Sequence, residues 1–369
     1  MPFRSLSFQV VEAGKYFHCC NYTAVIGVLS SRIPQVYWPV WDIRGKYPWS
    51  MSVLVTGGAG YIGSHVARLL TETGTEVIVV DDLSTGKESR VSGLTSYRID
   101  LAEPSAVAAL EALMREHSVD SVIHLAALKR VGDSVENPEK YFNKNLGGQA
   151  NLLLAMKSTG VKKLVFSSSA AAYGVPDVDL VSEDQAASPI NPYGQTKLIG
   201  EWMAANAETS WGLRHVNLRY FNAAGAGWDD LADTQVLNLI PIVFEAIKNK
   251  SKPKVYGSDY NTPDGSCIRD YVHVLDLAQA HIKALDYLEQ DKRAFNTFNV
   301  GTGYGSSVIE VLKQIRETTG IDFEYEVVAR RAGDPARLIA DASRIEKTMG
   351  WKAKNSLAEI IESAWKALG

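Results

Sequence analysis

The sequence predicts an α/β fold: a parallel sheet covered by helices on both faces, with a smaller C-terminal α/β domain. Three observations predict it. From Met51 onward, short β-branched runs alternate with helical patterns, as in repeated β–α–β crossovers. The first run, Val53–Thr56, stops at the glycine cluster Gly57-Gly58-Ala59-Gly60-Tyr61-Ile62-Gly63, which opens at once onto a helical pattern. The second run, Glu76–Val80, ends in Asp81-Asp82.

The glycine cluster organises the chain. Gly57 permits a tight turn, Gly60 lets the backbone approach a pyrophosphate, and Gly63 lets helix and strand pack closely. The pyrophosphate would rest on free N–H groups at the helix start. An acidic residue at the end of the second strand, Asp81 or Asp82, would accept bonds from ribose hydroxyls. The spacing is G-x-x-G-x-x-G, and glycine-rich turns also arise for backbone reasons alone, so the strand on either side carries much of the reading. Together these features make the sheet a Rossmann-type, doubly wound one.

The remaining elements follow in order. Strand patterns cover Ser96–Ile99, Ser121–Leu125, Lys163–Ser167 and His215–Arg219. Helical patterns cover Tyr61–Glu72, Pro104–Glu116, Pro138–Ser158 and Pro192–Glu208. Ligands of such sheets bind beyond the carboxyl ends of the strands. Asp100-Leu101, Ala126-Ala127-Leu128-Lys129, Ser168-Ser169 and Asn222 all follow strands. After Asn222 the texture changes, and residues 225–265 are rich in Gly, Asp, Pro and Asn around one helix near Gln235–Lys250. Helices are expected at Tyr271–Leu288, Ser307–Thr319, Ala342–Met349 and Leu357–Leu368, and strands at Phe295–Val300 and Phe323–Val328. Residues 1–50 show crowded aromatics and prolines without a period, and lack the layout of a signal peptide. We read Met51 as the functional start and the preceding stretch as an extension; a targeting segment and a packed N-terminal element are the alternatives.

Composition narrows the function. A chain of 369 residues suits about two domains. The net charge is −4 and no basic stripe is interleaved with aromatics, which argues against nucleic acid as a partner. No apolar run reaches the length of a membrane span. Cys19, Cys20 and Cys267 are a poor disulfide framework and suit a reducing, cytoplasmic setting. The histidines show no metal-ligand spacing, and no metal is expected.

The strongest catalytic signal is Tyr193-Gly194-Gln195-Thr196-Lys197. A tyrosine and a lysine four apart share one helix face, and no other tyrosine here has a lysine four residues later. A nearby ammonium and a nicotinamide cation would both favour phenolate, lowering the Tyr193 pKa. The tyrosine could then take a proton from a substrate hydroxyl while hydride leaves the same carbon. Ser167-Ser168-Ser169 ends the fifth strand at the same rim, and a serine there could bond the reacting oxygen. The pattern alone does not choose among the three.

Five motifs in one order carry a resemblance: Thr56-Gly57-Gly58-Ala59-Gly60-Tyr61-Ile62-Gly63-Ser64-His65, Ser167-Ser168-Ser169-Ala170-Ala171-Ala172-Tyr173-Gly174, Tyr193-x-x-x-Lys197, Arg219-Tyr220-Phe221-Asn222 and Arg269-Asp270-Tyr271-Val272-His273-Val274. Over Met51–Gly369 the chain resembles the extended short-chain dehydrogenase/reductases, and among them the 4-epimerases of UDP-glucose and UDP-galactose. The resemblance implies a tightly held NAD and a UDP-sugar. It implies that Tyr193 removes the 4-hydroxyl proton, that Lys197 holds the nicotinamide ribose, and that Ser169 bonds the reacting oxygen. Cofactor contacts carried over are Tyr61, Ile62, Asp81, Asp82, Asp100, Leu101, Leu125, Ala126, Ala127, Leu128, Lys129, Asn145 and Phe221; Asp82 stands where the family often has asparagine. UDP-sugar contacts carried over are Asn222, Asn238, Tyr256, Arg269, Arg331 and Asp334, with Leu338 beside the C2 substituent of the sugar. A diphosphate calls for such cationic, multidentate partners. Residues 51–224 with about 267–290 would form the NAD-binding domain, and 225–266 with 291–369 the sugar-binding domain. Family members are commonly homodimers joined through helices matching Pro138–Ser158 and Pro192–Glu208.

Three rival readings stand beside this one. Another NAD-dependent nucleotide-sugar epimerase differs only in its sugar. A 4,6-dehydratase needs an extra acid and base just after the fifth strand, where this chain has Ala170 and Ala171. A non-catalytic NAD-binding protein could keep the glycines but would have no need of Tyr193 or Lys197.

Overall fold

The structure, a computed structural model, describes residues 51–290, 293–331 and 333–368. The reading of residues 1–50 as an extension lies outside the described residues.

The first six strands are β1 (Ser52–Thr56), β2 (Glu76–Asp81), β3 (Thr95–Arg98), β4 (Ser121–His124), β5 (Lys163–Ser169) and β6 (Arg214–Tyr220). The first six helices are α1 (Tyr61–Glu72), α2 (Ala106–Glu116), α3 (Val131–Glu136), α4 (Pro138–Tyr141), α5 (Gly148–Thr159) and α6 (Pro192–Trp211). Strands β7 (Asn222–Ala224), β8 (Lys254–Tyr256), β9 (Ile268–His273) and β10 (Thr297–Val300) come next, with α7 (Leu239–Lys248) and α8 (Val274–Leu288). The chain ends with β11 (Gly305–Ser307), α9 (Val308–Thr319), β12 (Glu326–Val328), β13 (Arg337–Leu338), α10 (Ser343–Met349) and α11 (Leu357–Lys366).

The large sheet has seven parallel strands in the order β3-β2-β1-β4-β5-β6-β10. The order reverses between β1 and β4, the switch point where such sheets take their ligands. Strand β1 shows why both faces must be covered. Val53 and Val55 point into a core built with α1 and α8, including Val66, Leu70, Leu277 and Leu285. Leu54 points the other way, among Leu110, Leu152 and Met156 of α2 and α5. Successive side chains of a strand face opposite sides, so the run is apolar throughout instead of alternating. Helices α7, α9 and α11 close a separate, smaller core with Tyr271 of β9. There β9 pairs with β7, β11 and β13, and β8 pairs with β12.

Three departures from the expected elements matter for the site. The stretch expected as one helix, Pro138–Ser158, is α4 and α5 joined by a π-helical turn, Phe142–Gly147. The expected helix Tyr271–Leu288 begins at Val274; Tyr271–His273 are strand, because β9 pairs there with β7. His273 caps the helix instead, its Nδ1 accepting from the Leu275 N–H at 3.0 Å. Finally, the chain crosses between the two halves at other points than the expected domain division has it. Thr297–Val300, placed with the sugar-binding half, supplies the seventh strand of the large sheet, and Ile268–His273, placed with the NAD half, is central in the small one.

Candidate active site

At the switch point the glycine turn has little spare room. Gly57 sits at φ +72°, and a Cβ there would lie 2.6 Å from the Ala126 nitrogen. A Cβ at Gly63 would lie 2.1 Å from the Gly57 carbonyl oxygen, so α1 approaches the turn as only glycine allows. At Gly60 it would meet only that same oxygen, at 3.1 Å, which leaves this face of the turn open. Helix α1 starts with no side-chain cap on its first N–H groups, the arrangement that suits an anion. The buried carboxylate of Asp81 accepts from the Ala59 N–H at 3.0 Å and the Leu83 N–H at 2.9 Å. Burial raises its pKa, while those two backbone bonds pull the other way. Asp82 is half-buried and accepts from Ser84. The cradle and the acid at its rim fit a dinucleotide.

The other expected cofactor residues line the same edge. Asp100 follows β3, pairs with Lys144 and accepts from the Ala102 N–H. Leu101 is buried, and its carbonyl is held by Asn151. Leu125 to Lys129 follow β4. Asn145 pins them: its Oδ1 accepts from the Leu128 N–H at 2.8 Å, and its Nδ2 donates to the Leu128 carbonyl and to Thr196 Oγ1. Asn145 sits in the π-helical turn, whose extra residue turns it into this gap. Tyr61 donates to the Gly225 carbonyl at 2.5 Å, and Phe221 is buried just after β6.

The three serines diverge. Ser167 Oγ pairs with His281 Nε2 at 2.6 Å on α8, and Ser168 Oγ donates to Glu201 on α6. Ser169 alone lies against Tyr193, where it pulls the phenol pKa down, and it accepts from the Ala171 N–H at 3.1 Å. Tyr193 opens α6, where Asn191 caps the helix by accepting from the Gly194 N–H. One turn on, Lys197 Nζ donates to the Ser167 carbonyl at 2.8 Å and lies 6.0 Å from the Tyr193 ring centre. Tyr220, the register partner of Ser169 across β5 and β6, also lies against Tyr193. That last contact was not foreseen; its only sequence signal is its place beside Phe221.

The electrostatics correct one expectation. Lys197 does not lower the Tyr193 pKa in the protein alone. Burial pushes the phenol up, against smaller opposing pulls from Ser169 and Tyr220. Lys197 itself is pushed down to about 7 by burial, with Glu201 pulling the other way. Both groups share one dry site, and desolvation outweighs an ammonium whose bond goes to the Ser167 carbonyl.

Among the expected substrate residues, Arg269 and Asp334 meet at 3.6 Å, and Arg269 also donates to the Pro335 carbonyl. Arg331 lies 4.0 Å above the Tyr256 ring. Asn238 immediately precedes α7 without a side-chain capping bond, and it donates to Asp233 at 3.1 Å. Asn222 opens β7 opposite Tyr271 and is exposed. Leu338 pairs with Arg269 in register and packs on a cluster that includes Phe221 and Tyr173.

A glycine turn at the switch point and a Ser/Tyr/Lys set at the next rim define a class, the dinucleotide-dependent enzymes of the extended short-chain dehydrogenase/reductase type. Within that class the chain belongs to the NAD dependent epimerase/dehydratase family, which it matches over residues 53–301. It is 44% identical to a UDP-glucose 4-epimerase of Halalkalibacterium halodurans, over 85% of this chain and 95% of that one. Its fold is similar to the solved UDP-glucose 4-epimerase of Brucella ovis in complex with NAD, with TM-score 0.80 at 43% identity, covering 85% of this chain and 97% of that one. It is also similar to the enzyme of Stenotrophomonas maltophila with bound NAD and formylated UDP-arabinopyranose, with TM-score 0.81 at 40% identity, covering 86% and 97%. No helix of the described residues is long and apolar enough to cross a membrane.

Proposed function

We propose that this chain interconverts UDP-glucose and UDP-galactose by inverting C4, with NAD as its cofactor and a 4-keto sugar between the two. The observation that carries this reading is Ser169, Tyr193 and Lys197 converging beside the glycine turn. When bound, NAD supplies the hydride acceptor and donor for C4 and a positive charge beside Tyr193. Ser169 bonds the reacting oxygen and fixes its distance from Tyr193. Tyr193 takes the 4-hydroxyl proton as the carbonyl forms, and returns it when the keto sugar is reduced on its other face. Lys197, held by the Ser167 carbonyl, would bond the nicotinamide ribose. Asp81 would hold the adenosine ribose, and the free N–H groups of α1 the pyrophosphate, helped by Lys129. Arg269 and Arg331 would hold the UDP diphosphate, with Asn222, Asn238, Tyr256 and Asp334 around them.

The epimerase reading is favoured over dehydration. Ala170 and Ala171 form the short turn directly after Ser169, so no side chain there can transfer the additional protons that elimination of water needs. Incubation of the purified protein with UDP-galactose and no added cofactor should give UDP-glucose, and the denatured protein should release NAD. A 4-keto-6-deoxy product, or release of mainly NADP, would overturn the reading.

The preferred sugar belongs to the same proposal. Leu338 is half-buried against Phe221 and Tyr173, so an added N-acetyl group must displace packed atoms. Overpacking costs roughly 1–3 kcal/mol, about a 5- to 150-fold preference for the unacetylated sugars. Leu338→Gly should narrow that gap. Comparison of kcat/KM for both sugar pairs in both proteins checks it, and equal values in the unmodified protein would remove Leu338 as the gate.

A homodimer and a cytoplasmic address complete the proposal. Leu154 on α5 and Trp202 on α6 are each 56% exposed, and Val135 on the neighbouring α3 is 62% exposed. Docking of a second copy through α5 and α6 would cover them. The buried free thiol of Cys267 suits a reducing compartment.

A further inference from the structure

Behind Lys197 lies a buried charge pair that the mechanism above does not use. Glu201 follows Lys197 by one turn of α6 and is 5% exposed. Arg219 of β6, 7% exposed, grips it with both ends of its guanidinium, Nε to Oε1 at 2.8 Å and Nη2 to Oε2 at 2.6 Å. Ser168 of β5 donates to the same carboxylate. Ser168 and Arg219 are register partners across β5 and β6, so two adjacent strands converge on one helix residue. Tyr173 stacks under the guanidinium at 4.7 Å and is itself held by Asn299 at 2.7 Å. The carboxylate therefore has no freedom to leave.

A buried ion pair of this kind is weak evidence for stability, because desolvation cancels much of its attraction. Its placement suggests another use. Tyr193, Lys197 and Glu201 are spaced i, i+4, i+8 on one stripe of α6. The Ser167 carbonyl that receives Lys197 belongs to the residue before Ser168, which Glu201 holds. We infer that Glu201, locked by Arg219 and Ser168, is a positioning residue that keeps Lys197 charged and aimed in the site. This rests on the proposed function, in which Lys197 acts as an ammonium.

The other groups facing Lys197 do not do this. Tyr193 on the same helix is a neutral phenol, its pKa raised by burial. From β5 come the Phe166 ring, at 5.1 Å, and the uncharged Ser167 carbonyl. From β4 comes His124, whose Nδ1 pairs with Thr56 at 2.6 Å and whose pKa burial lowers to about 3, with Lys197 adding to the shift. It is neutral at working pH. Glu201 is the anion among these groups, and it opposes the burial that draws the lysine pKa down.

Removing Glu201 alone would leave Arg219 buried and bare, which can unfold the protein. The test therefore uses Glu201→Gln with Arg219→Met, which removes both charges, and Arg219→Met alone, which leaves the anion. Two readouts are followed against pH, epimerisation of UDP-galactose and retention of bound NAD through a desalting column. In the double variant the alkaline fall of both should move down by about one pH unit, a tenfold change in ionisation of the lysine. In Arg219→Met it should move up, because the guanidinium no longer offsets the carboxylate charge that Lys197 meets. A merely structural pair predicts weaker protein in both variants and no opposite shifts. An unmoved alkaline limb in the double variant, or shifts of the same sign, overturns the inference. Arg219→Met leaves the Glu201 carboxylate buried without its guanidinium; if that variant does not fold, the double variant decides alone, and an unmoved limb is the negative result. If the unmodified protein fails to epimerise, the functional reading fails instead, and NAD retention still tests the role of Glu201.

Discussion

Tyr193→Phe should lower turnover by about 10²–10⁴, the usual worth of a positioned acid–base group. The change removes one oxygen from a ring that is 7% exposed and packed at the start of α6. That oxygen lies beside Ser169 and Tyr220, and Ser169 keeps its bond from the Ala171 N–H, so its loss opens no cavity. NAD content and melting temperature should stay close to those of the unmodified protein, and KM should change little. The loss should therefore fall on kcat, which separates removal of a base from damage to the site. The sign of the pH effect follows from burial. The phenol is held above its ordinary value, so the base form is scarce at neutral pH unless a cation joins it. Activity of the unmodified protein should accordingly rise with pH on its acid limb, and Tyr193→Phe should flatten that limb. Turnover of the variant within a few-fold of the original would mean that another group takes the proton.

The sequence exposed what depends on local pattern and hid what depends on partners far along the chain. The strand–turn–helix from Ser52 to Glu72 was legible because the glycines, the β-branched run and the helical period sit together. The Tyr193 and Lys197 pair was legible because helical spacing is local. The three serines of β5 were not separable by pattern, since they are chemically identical. What distinguishes them is His281, brought in by α8, and Glu201 and Tyr193, brought in by two turns of α6. The π-helical turn escaped for a similar reason. Helix propensity carries no signal for one extra residue per turn, yet that residue puts Asn145 between Leu128 and Thr196. Strands β8, β11 and β13 are only two or three residues long, too short to show a period of two. The upward push on Tyr193 in the protein alone was not legible, because charge can be read from a sequence and depth of burial cannot.

Gly57→Ala should damage both the fold and the hold on NAD. Gly57 sits at φ +72°, where an L side chain costs about 1–2 kcal/mol. The new methyl would also lie 2.6 Å from the Ala126 nitrogen, 2.8 Å from its Cα and 2.9 Å from the Leu125 carbonyl carbon. These are backbone atoms, so no rotamer change can relieve the contact. The segment is held from both ends, by the Leu125 N–H on the Thr56 carbonyl at 3.0 Å and by Asn145 on Leu128. Overpacking of a tight site adds about 1–3 kcal/mol, so the sum is about 2–5 kcal/mol against a domain stability of about 5–15 kcal/mol. The turn and the β4 loop carry most of the expected NAD contacts, so pushing them apart should empty the purified protein of cofactor. Gly160→Ala is the control. Gly160 sits at φ +82° after α5, and a Cβ there meets nothing within 4 Å. It should show the conformational cost alone, with NAD content unchanged. Melting temperature and NAD released on denaturation, measured for both variants, check the expectation. Equal losses in the two, with NAD retained, would mean that φ is the only constraint at Gly57 and that the close approach of the β4 loop does not matter.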